Sequence, residues 1–189
     1  DAPFDTVAEL IECARQNPGE VQAALAAVGD TGHLALAQLA TDNGVEFTYV
    51  PHGGGGEMRL AVIGGHSHIA APTSAEIEPY VIQGQVKPLG VMDSERFPDI
   101  PDIPTLEEQG FPVRGLTLRH IIVPSATPDD VVQVLHDAFK SAMMDPAFLA
   151  MADKLGVVPV YKDGESSRAE LLEFYTVYGE LIDSLGLGK

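Results

Sequence analysis

Extended and helical hydrophobic patterns alternate along the first half of the chain, and this alternation restricts its fold more than any other feature. Extended patterns cover residues 21–26 and 46–50, and a helical pattern from residue 31 to about 43 lies between them. A strand, a helix and a second strand in this order form a right-handed crossover between parallel strands. The sequence therefore predicts an α/β fold with a mostly parallel sheet and helices on its faces.

The alternation extends in both directions along the chain. A capping-box spacing at residues 6–9 predicts a first helix that ends at the Asn17-Pro18-Gly19 stop signal. Later predicted elements are a helix ending at residues 64–65, a strand near 68–71, a helix capped at Thr73 and ending at Gly84, and a strand at 86–91. Residues 92–113 carry four prolines and predict a crossover segment. Beyond it we expect a strand at 116–123, helices at about 128–143 and 146–156, an extended segment at 157–161 and a final helix from Ser167.

Charge and composition exclude several classes of function. The chain has 28 acidic and 11 basic residues, for a formal net charge of −17, which repels nucleic-acid phosphates and anionic lipids. No apolar stretch reaches the roughly 20 residues of a membrane-spanning helix. The first residues lack the pattern of a signal peptide, so we expect either a cytosolic chain or one whose leader has been removed. The single cysteine, Cys13, excludes an internal disulfide.

Two glycine-containing turns lie between predicted strands and helices. The first, at residues 29–33, would present backbone N–H groups at the positive end of a helix dipole, where a carboxylate binds well. Its alternative is an N-capping turn without a ligand, with Asp30 or Thr31 as the cap. The second turn, at residues 51–56, has four consecutive glycines, which allow a close approach of backbone to ligand. Such a run alone more often marks a flexible loop, and no Gly-Lys-Ser/Thr follows to make it a P-loop.

The histidines supply a rival interpretation. His66 and His68 at a spacing of two would share one side of a strand, and His52 would be a third ligand near Glu57, as in a zinc site or a zinc hydrolase. This spacing is not that of a strong metal motif. The sequence also has no nucleophile elbow and no reactive-cysteine signature, so enzymatic activity is not expected.

Five short segments in fixed order give the chain a family resemblance. They are residues 28–34 (VGDTGHL), 50–56 (VPHGGGG), 64–68 (GGHSH), 96–110 (RFPDIPDIPTLEEQG) and 123–128 (VPSATP). Together, over nearly the whole chain, they resemble the extracytoplasmic solute-binding proteins of tripartite tricarboxylate transporters, the TctC or Bug family. The resemblance implies a type II periplasmic-binding, or Venus flytrap, fold. It implies a periplasmic receptor without cofactor or enzymatic activity that captures a small organic acid, such as a di- or tricarboxylate, for the transporter's membrane subunits.

The resemblance also implies a domain division. Residues 1–112 would form the second, ligand-binding lobe, and residues 113–189 the returning C-terminal part of the first lobe. Full members of the family have an opening stretch of first-lobe strands and helices that this sequence lacks, so we expect a C-terminal portion. The predicted strand at 116–123 would then lack its usual sheet neighbours. We expect a homodimer, a strand swap or the chain's own helices to cover it.

The resemblance places the ligand in the two glycine turns. Backbone amides of residues 29–33 and 53–55 would hold a carboxylate, and hydroxyl groups of Thr31 and Ser74 would add donors. The predicted ligand-binding residues are Gly29, Asp30, Thr31, Gly32, His33, His52, Gly53, Gly54, Gly55, His68 and Ser74. Family members usually carry a small hydroxyl residue at position 30, tyrosine and lysine at 52 and 53, and aspartate at 68. An aspartate at position 30 would weaken anion binding unless its side chain turns back to cap the helix.

Overall fold

The computed structural model describes residues 2–115, 117, 119–155, 157 and 159–186, and the chain divides into two compact units. The first unit comprises Asp1–Thr117 and Val177–Lys189, and the second comprises Leu118–Thr176. The predicted lobes, residues 1–112 and 113–189, remain a prediction. Along the described residues, no helix combines the length and apolar character needed to cross a membrane.

The first unit is built around a three-stranded parallel sheet. Its strands are β1 (Gln22–Leu25), β2 (Thr48–Pro51) and β3 (Ile69–Ala70), in the order β2-β1-β3. Ala23 in the central strand is paired with Tyr49 on one side and with Ile69 on the other. Because all strands run in the same direction, the loops that follow them emerge at one edge of the sheet, which we call the carboxyl edge. The predicted α/β fold with a parallel sheet is confirmed.

Four helices of this unit begin and end near the predicted positions. They are α1 (Val7–Gln16), α2 (Thr31–Asn43), α3 (Gly55–Ile63) and α4 (Ser74–Ile82). The Thr6 hydroxyl caps α1 by accepting a hydrogen bond from the Glu9 amide, 3.1 Å away. Gly44 ends α2 with a φ of +61°, a left-handed conformation that glycine adopts without strain.

The core of the first unit lies between the sheet and helices α1 and α2. Helix α1 buries the apolar side chains of one face, and α2 buries apolar side chains along most of its length. The fully or nearly fully buried side chains include Val7, Leu10, Ile11, Ala23, Leu25, Leu36 and Leu39. This packing fixes α2 against β1, and it therefore fixes the turn between them.

The second unit is helical. It contains α5 (Asp129–Met143), α6 (Pro146–Lys154) and most of α7 (Gly164–Ser184), whose last residues belong to the first unit. Helix α7 begins before the predicted Ser167 because the Asp163 carboxylate accepts from the Ser166 amide at 2.8 Å and caps the first turn. Among the described residues of this unit, Ala152 alone is buried, and many apolar side chains are exposed.

Two predicted strands, at 86–91 and 116–123, do not form, and the described residues 157 and 159–161 of the predicted extended segment have no strand pairing. Within residues 86–91, only Val91 makes a β-bridge, to Thr105, and Pro88 has no N–H group for a strand ladder. The described residues of the predicted strand at 116–123, which are 117 and 119–123, have no strand pairing. Their β-branched residues favour strands, but a strand requires a partner, and Ile121 and Ile122 are 63% and 82% exposed. Residues 116, 118 and 158 of these predictions lie outside the described residues, as does residue 156 at the end of the predicted helix 146–156.

Candidate ligand-binding site

The turn between β1 and α2 is a left-handed glycine turn. The Asp30 amide donates to the Ala27 carbonyl at 3.3 Å, and Gly29 has a φ of +84°. No other atom lies within 4 Å of where a Cβ would be, so Gly29 is required by backbone conformation and not by space. Since α2 begins at Thr31, the turn delivers the chain directly to a helix N-terminus at the carboxyl edge of the sheet.

Asp30 faces back toward its own backbone. One carboxylate oxygen, Oδ1, accepts from the His33 amide at 2.7 Å, and the other, Oδ2, accepts from the Ala27 amide at 2.9 Å. Both oxygens are therefore engaged by the turn, and Asp30 is the N-cap of α2. Of the two orientations considered from the sequence, the structure has the one in which the carboxylate caps the helix.

His33 stabilises the turn from its buried side. Its side chain is buried, it contacts the Tyr49 ring edge to face with centroids 4.6 Å apart, and its Nδ1 accepts a 2.9 Å hydrogen bond from the Gly29 amide. An acceptor nitrogen carries no proton, so this imidazole is neutral with its proton on Nε2. Burial lowers the pKa of His33, and the negative charge of Asp30 opposes that shift only in part. The imidazole therefore supports the turn instead of contributing a positive charge.

Two amides of the turn remain available to a ligand. Among the described residues, the N–H groups of Thr31 and Gly32 have no acceptor, as expected for the first two positions of a helix. The Thr31 hydroxyl lies 3.3 Å from the hydroxyl of Thr117, a residue that the sequence did not indicate. A Cβ on Gly32 would lie 2.5 Å from the Ala71 carbonyl oxygen, so glycine is needed for the loop after β3 to approach α2. Amides, hydroxyl groups and helix dipole together favour an anion here.

The second glycine turn joins β2 to α3, and a protein carboxylate already occupies part of it. Glu57 Oε2 accepts from the Gly53 amide at 2.8 Å. Glu76 lies against the next residues, since a Cβ on Gly55 would be 2.2 Å from its Oε1. The N-cap of α3 is Gly54, whose φ of +148° favours glycine. The Gly53 amide that the sequence assigned to a ligand is thus bound to Glu57, and two negative charges stand at this loop.

His52 belongs to the second glycine turn and directly follows β2 at the carboxyl edge. Its amide donates to the Leu25 carbonyl at 2.9 Å, which ties the end of β2 to the end of β1. Its Nε2 is buried and has no hydrogen-bond partner among the described residues. A buried polar nitrogen of this kind is costly unless something satisfies it. His52 therefore stays among the candidate ligand contacts.

His68 lies at the opposite edge of the sheet. It precedes β3, and its Nδ1 accepts a 3.0 Å hydrogen bond from the amide of Gln22, the first residue of β1. Residues 66–68 are turn and bend, not strand, so the predicted same-side arrangement of His66 and His68 does not arise. Across the part of the chain that the structure describes, no group of three or more His, Cys, Asp or Glu side chains is placed to hold a metal ion. The zinc alternative built on His52, His66 and His68 is therefore not assembled.

A cavity of about 870 Å³ lies inside the first unit along β3. It runs from Ser67 and His68, before the strand, to Ala71 and Pro72, after it, and residues 84–92 line it as well. Ser74, a predicted ligand residue in the first turn of α4, lines this cavity together with Gly32. Arg59 and Ser67 also line it, and sequence reasoning passed over both as site residues. The signal for Arg59 is visible in the sequence, where it is the only basic residue between Arg15 and Lys87.

Solved structures share this fold. A TctC solute-binding protein from Polaromonas, determined without ligand, superposes with a TM-score of 0.85 at 29% identity, over 97% of this chain and 63% of that chain. R. palustris Rpa4515, determined with adipate, gives a TM-score of 0.81 at 25% identity, over 97% of this chain and 62% of that chain. The protein therefore has the α/β fold of periplasmic solute-binding proteins, as the sequence predicted.

Sequence comparison identifies the family. A UPF0065 protein from the gbd 5′ region of Cupriavidus necator is 33% identical over 189 residues, which are 100% of this chain and 58% of that protein. The profile of the tripartite tricarboxylate transporter family receptor, TctC, matches residues 1–187. The chain belongs to this receptor family, and the predicted resemblance is confirmed. It spans less than two thirds of the length of these relatives.

Proposed function

We propose that this protein is an extracytoplasmic receptor that captures a small mono- or dicarboxylate and delivers it to the membrane subunits of a tripartite transporter. Membership of the TctC receptor family supports this role. The adipate bound to the related R. palustris protein supports a carboxylate as the ligand. In this proposal residues 1–112 are the ligand-binding lobe, residues 113–189 return to the other lobe, and the protein performs no chemical reaction.

The observation that carries the proposal is the pair of unengaged amides at Thr31 and Gly32. They lie at the positive end of a helix of 13 residues, and both carboxylate oxygens of Asp30 already accept hydrogen bonds from other amides, those of Ala27 and His33. A carboxylate accepting both N–H groups would form charge-assisted hydrogen bonds, which are about twice as strong as neutral ones. The Thr31 hydroxyl would add a third donor, which is why a carboxylate suits the turn better than a sugar or an amine.

Long-range charge opposes the ligand, and local donors must overcome it. The net charge of −17 repels an acid approaching from solution, although salt screens this repulsion over about 8–10 Å. Glu57 and Glu76 make the second glycine loop a poor place for another carboxylate. We therefore place the carboxylate at the α2 turn and leave the rest of the ligand to contacts such as His52 Nε2.

Calorimetry of this protein with a panel of acids tests the proposal. Adipate, malonate, succinate and acetate would be titrated beside glucose and putrescine, and saturable one-to-one binding of at least one acid is expected. Gly32→Ala should abolish that binding, because its Cβ would displace the Ala71 loop from the turn. Gly56→Ala is the matched control, since a Cβ there meets no atom within 4 Å. Binding of only the sugar or the amine, with none of the acids, would refute the proposed ligand class.

A further inference from the structure

Arg59 is a cation of α3 that is held in place without a carboxylate partner among the described residues. One guanidinium nitrogen, Nη1, donates to the Glu76 carbonyl at 3.2 Å, and the guanidinium carbon lies 4.8 Å from the centre of the Tyr80 ring. Its Nε is buried and has no hydrogen-bond acceptor in the described part of the chain. A guanidinium has five N–H donors in a fixed fork, so this arrangement leaves donors for another acceptor.

Ser67 presents a second unsatisfied donor to the same cavity. The residue is 5% exposed, and its Oγ is buried without a hydrogen-bond partner among the described residues. Buried hydroxyl groups are nearly always hydrogen-bonded, because an unpaired one loses its water without compensation. Both Arg59 and Ser67 line the cavity along β3, where a ligand oxygen would satisfy them.

The rest of the cavity wall is predominantly apolar. Aliphatic side chains from five elements and from the loop after α4 line it, among them Leu39, Ile63, Ile69, Ile77, Val81 and Leu106. Its volume of about 870 Å³ falls within the range of small-molecule pockets, about 300–1,000 Å³. Such a wall suits a hydrocarbon body, with polar recognition left to Arg59 and Ser67.

We propose that this cavity is a second ligand site, which binds a monocarboxylic acid with an apolar body. Arg59 and Ser67 hold the carboxylate, and the aliphatic wall holds the body. The cavity adjoins the α2 turn, whose Gly32 also lines it, but the donors Arg59 and Ser67 are not those of the turn, and the site does not depend on the receptor function proposed above.

A single charge on the ligand follows from the cations that line the cavity. Lys87 is paired with Asp5 at the protein surface, and His68 uses its Nδ1 to accept from the Gln22 amide. Among the described residues that line the cavity, Arg59 is then the cation that remains available to an anion. A diacid would place its second carboxylate against aliphatic side chains, which is strongly unfavourable.

The test is titration of this protein with octanoate, suberate and 1-octanol by calorimetry. Octanoate should bind one to one and at least tenfold more tightly than suberate or 1-octanol, because only octanoate combines one charge with an apolar chain. Affinity should rise about fourfold per methylene from hexanoate to octanoate. Saturating adipate should leave octanoate binding unchanged if the sites are separate, whereas competition between the two acids would overturn the second site.

Two variants with matched controls locate the ligand. Arg59→Met should weaken octanoate at least tenfold while Arg15→Met, which removes an exposed cation paired with Glu12, should not. Val81→Trp should narrow the cavity and weaken octanoate binding, whereas Ile82→Trp, at a neighbouring position that is 66% exposed, should not. Equal effects of a variant and its control would refute the assignment, and circular dichroism would verify that each variant is folded.

Hydrogen exchange of the ligand-free protein supplies an independent test. Residues 86–90 line the cavity, as β3 does, and are not paired with that strand. We expect the amides of residues 86, 87, 89 and 90 to exchange fast in the ligand-free protein and more slowly with octanoate bound. If these amides are instead as protected as those of β1 without any ligand, the segment closes the cavity by strand pairing, and the proposed site does not exist.

Discussion

At the scale of single residues, the α2 turn is a small hydrogen-bonded network that leaves two amides for an anion. Asp30 takes the amides of Ala27 and His33, and the His33 ring takes the amide of Gly29. These two side chains occupy backbone N–H groups for which a bound anion would otherwise compete. The result is a turn whose shape is set by the protein and whose remaining donors, on Thr31 and Gly32, already point the same way along the helix axis.

Substitution of Asp30 separates its capping role from a role in binding. Asp30→Ala should lower the free energy of unfolding by about 1 kcal/mol, the usual cost of a lost N-cap. Asp30→Ser should cost less, because the serine hydroxyl accepts from the His33 amide, and acid affinity should change little. Urea unfolding and calorimetry measure both effects, with Asp42→Ser on the exposed surface of α2 as the control. A large gain in acid affinity on Asp30→Ser would mean that the carboxylate faces the ligand.

His33 makes stability depend on pH. Because burial lowers its pKa, the unfolded chain takes up a proton below about pH 6.5 where the native imidazole does not. The stabilisation is therefore complete above the unfolded pKa and is lost as the pH falls toward the folded pKa. Urea unfolding from pH 7.5 to 5 should show a shallower pH dependence for His33→Gln than for the native protein. The same measurement on His66→Gln, at an exposed position, is the control for loss of a histidine.

At the scale of elements, the glycine loop between β2 and α3 binds a carboxylate of the protein itself. The Glu57 carboxylate, one turn into α3, reaches back to the Gly53 amide and stabilises the helix start. The Thr73 amide and hydroxyl hold Glu76, at 3.1 and 2.9 Å, where it excludes any side chain from position 55. Two carboxylates of the protein therefore contribute to the order of this loop.

Removal of Glu57 should therefore make the loop more receptive to acids. Glu57→Ala frees the Gly53 amide and removes a like charge, so acid affinity should rise about fivefold, or about 1 kcal/mol. Glu57→Gln keeps an acceptor for the amide and should give a smaller gain. Calorimetry with the acid that binds most tightly would measure the three affinities. Unchanged affinity in both variants would place the ligand away from this loop.

The sequence predicts local features of this fold well and features that depend on distant partners poorly. The cap at Thr6 and the end of α2 at Gly44 are encoded within a few residues, and both agree with the structure. A strand at 86–91 depends on a neighbour, and the pattern of apolar residues contains no information about one. The site shows the same contrast. The position of the α2 turn follows from its glycines, but the occupation of the Gly29 amide follows from the burial of His33 beside Tyr49.

At the scale of the whole molecule, the two compact units differ in how well they bury apolar side chains. The first has a core around a sheet, whereas the second exposes Val134 and Tyr175 at 68% and 80%. The described segment at 119–123 adds Ile122 at 82%. Exposed apolar surface of this extent is normally covered by another molecule or segment.

We therefore expect concentration-dependent self-association through the second unit. Light scattering coupled to size-exclusion chromatography should show a mass above 20.1 kDa that increases with protein concentration. Ile122→Lys should shift the protein toward monomer, since it places a charge in the apolar surface. Val28→Lys, at a 56% exposed position of the first unit, is the control and should not. A monomer at all concentrations would show that this surface stays free in solution.

The bond from the Gly29 amide to His33 Nδ1 turns one imidazole into a reporter of ligand arrival. Of the six histidines in the chain, this one has its unprotonated nitrogen tied to the turn that would receive the acid. Nitrogen chemical shifts of imidazoles respond directly to the hydrogen bond at each ring position. A ligand that pulls on the Thr31 and Gly32 amides would alter that bond, so histidine-labelled protein would signal occupancy from the interior without any dye or tag.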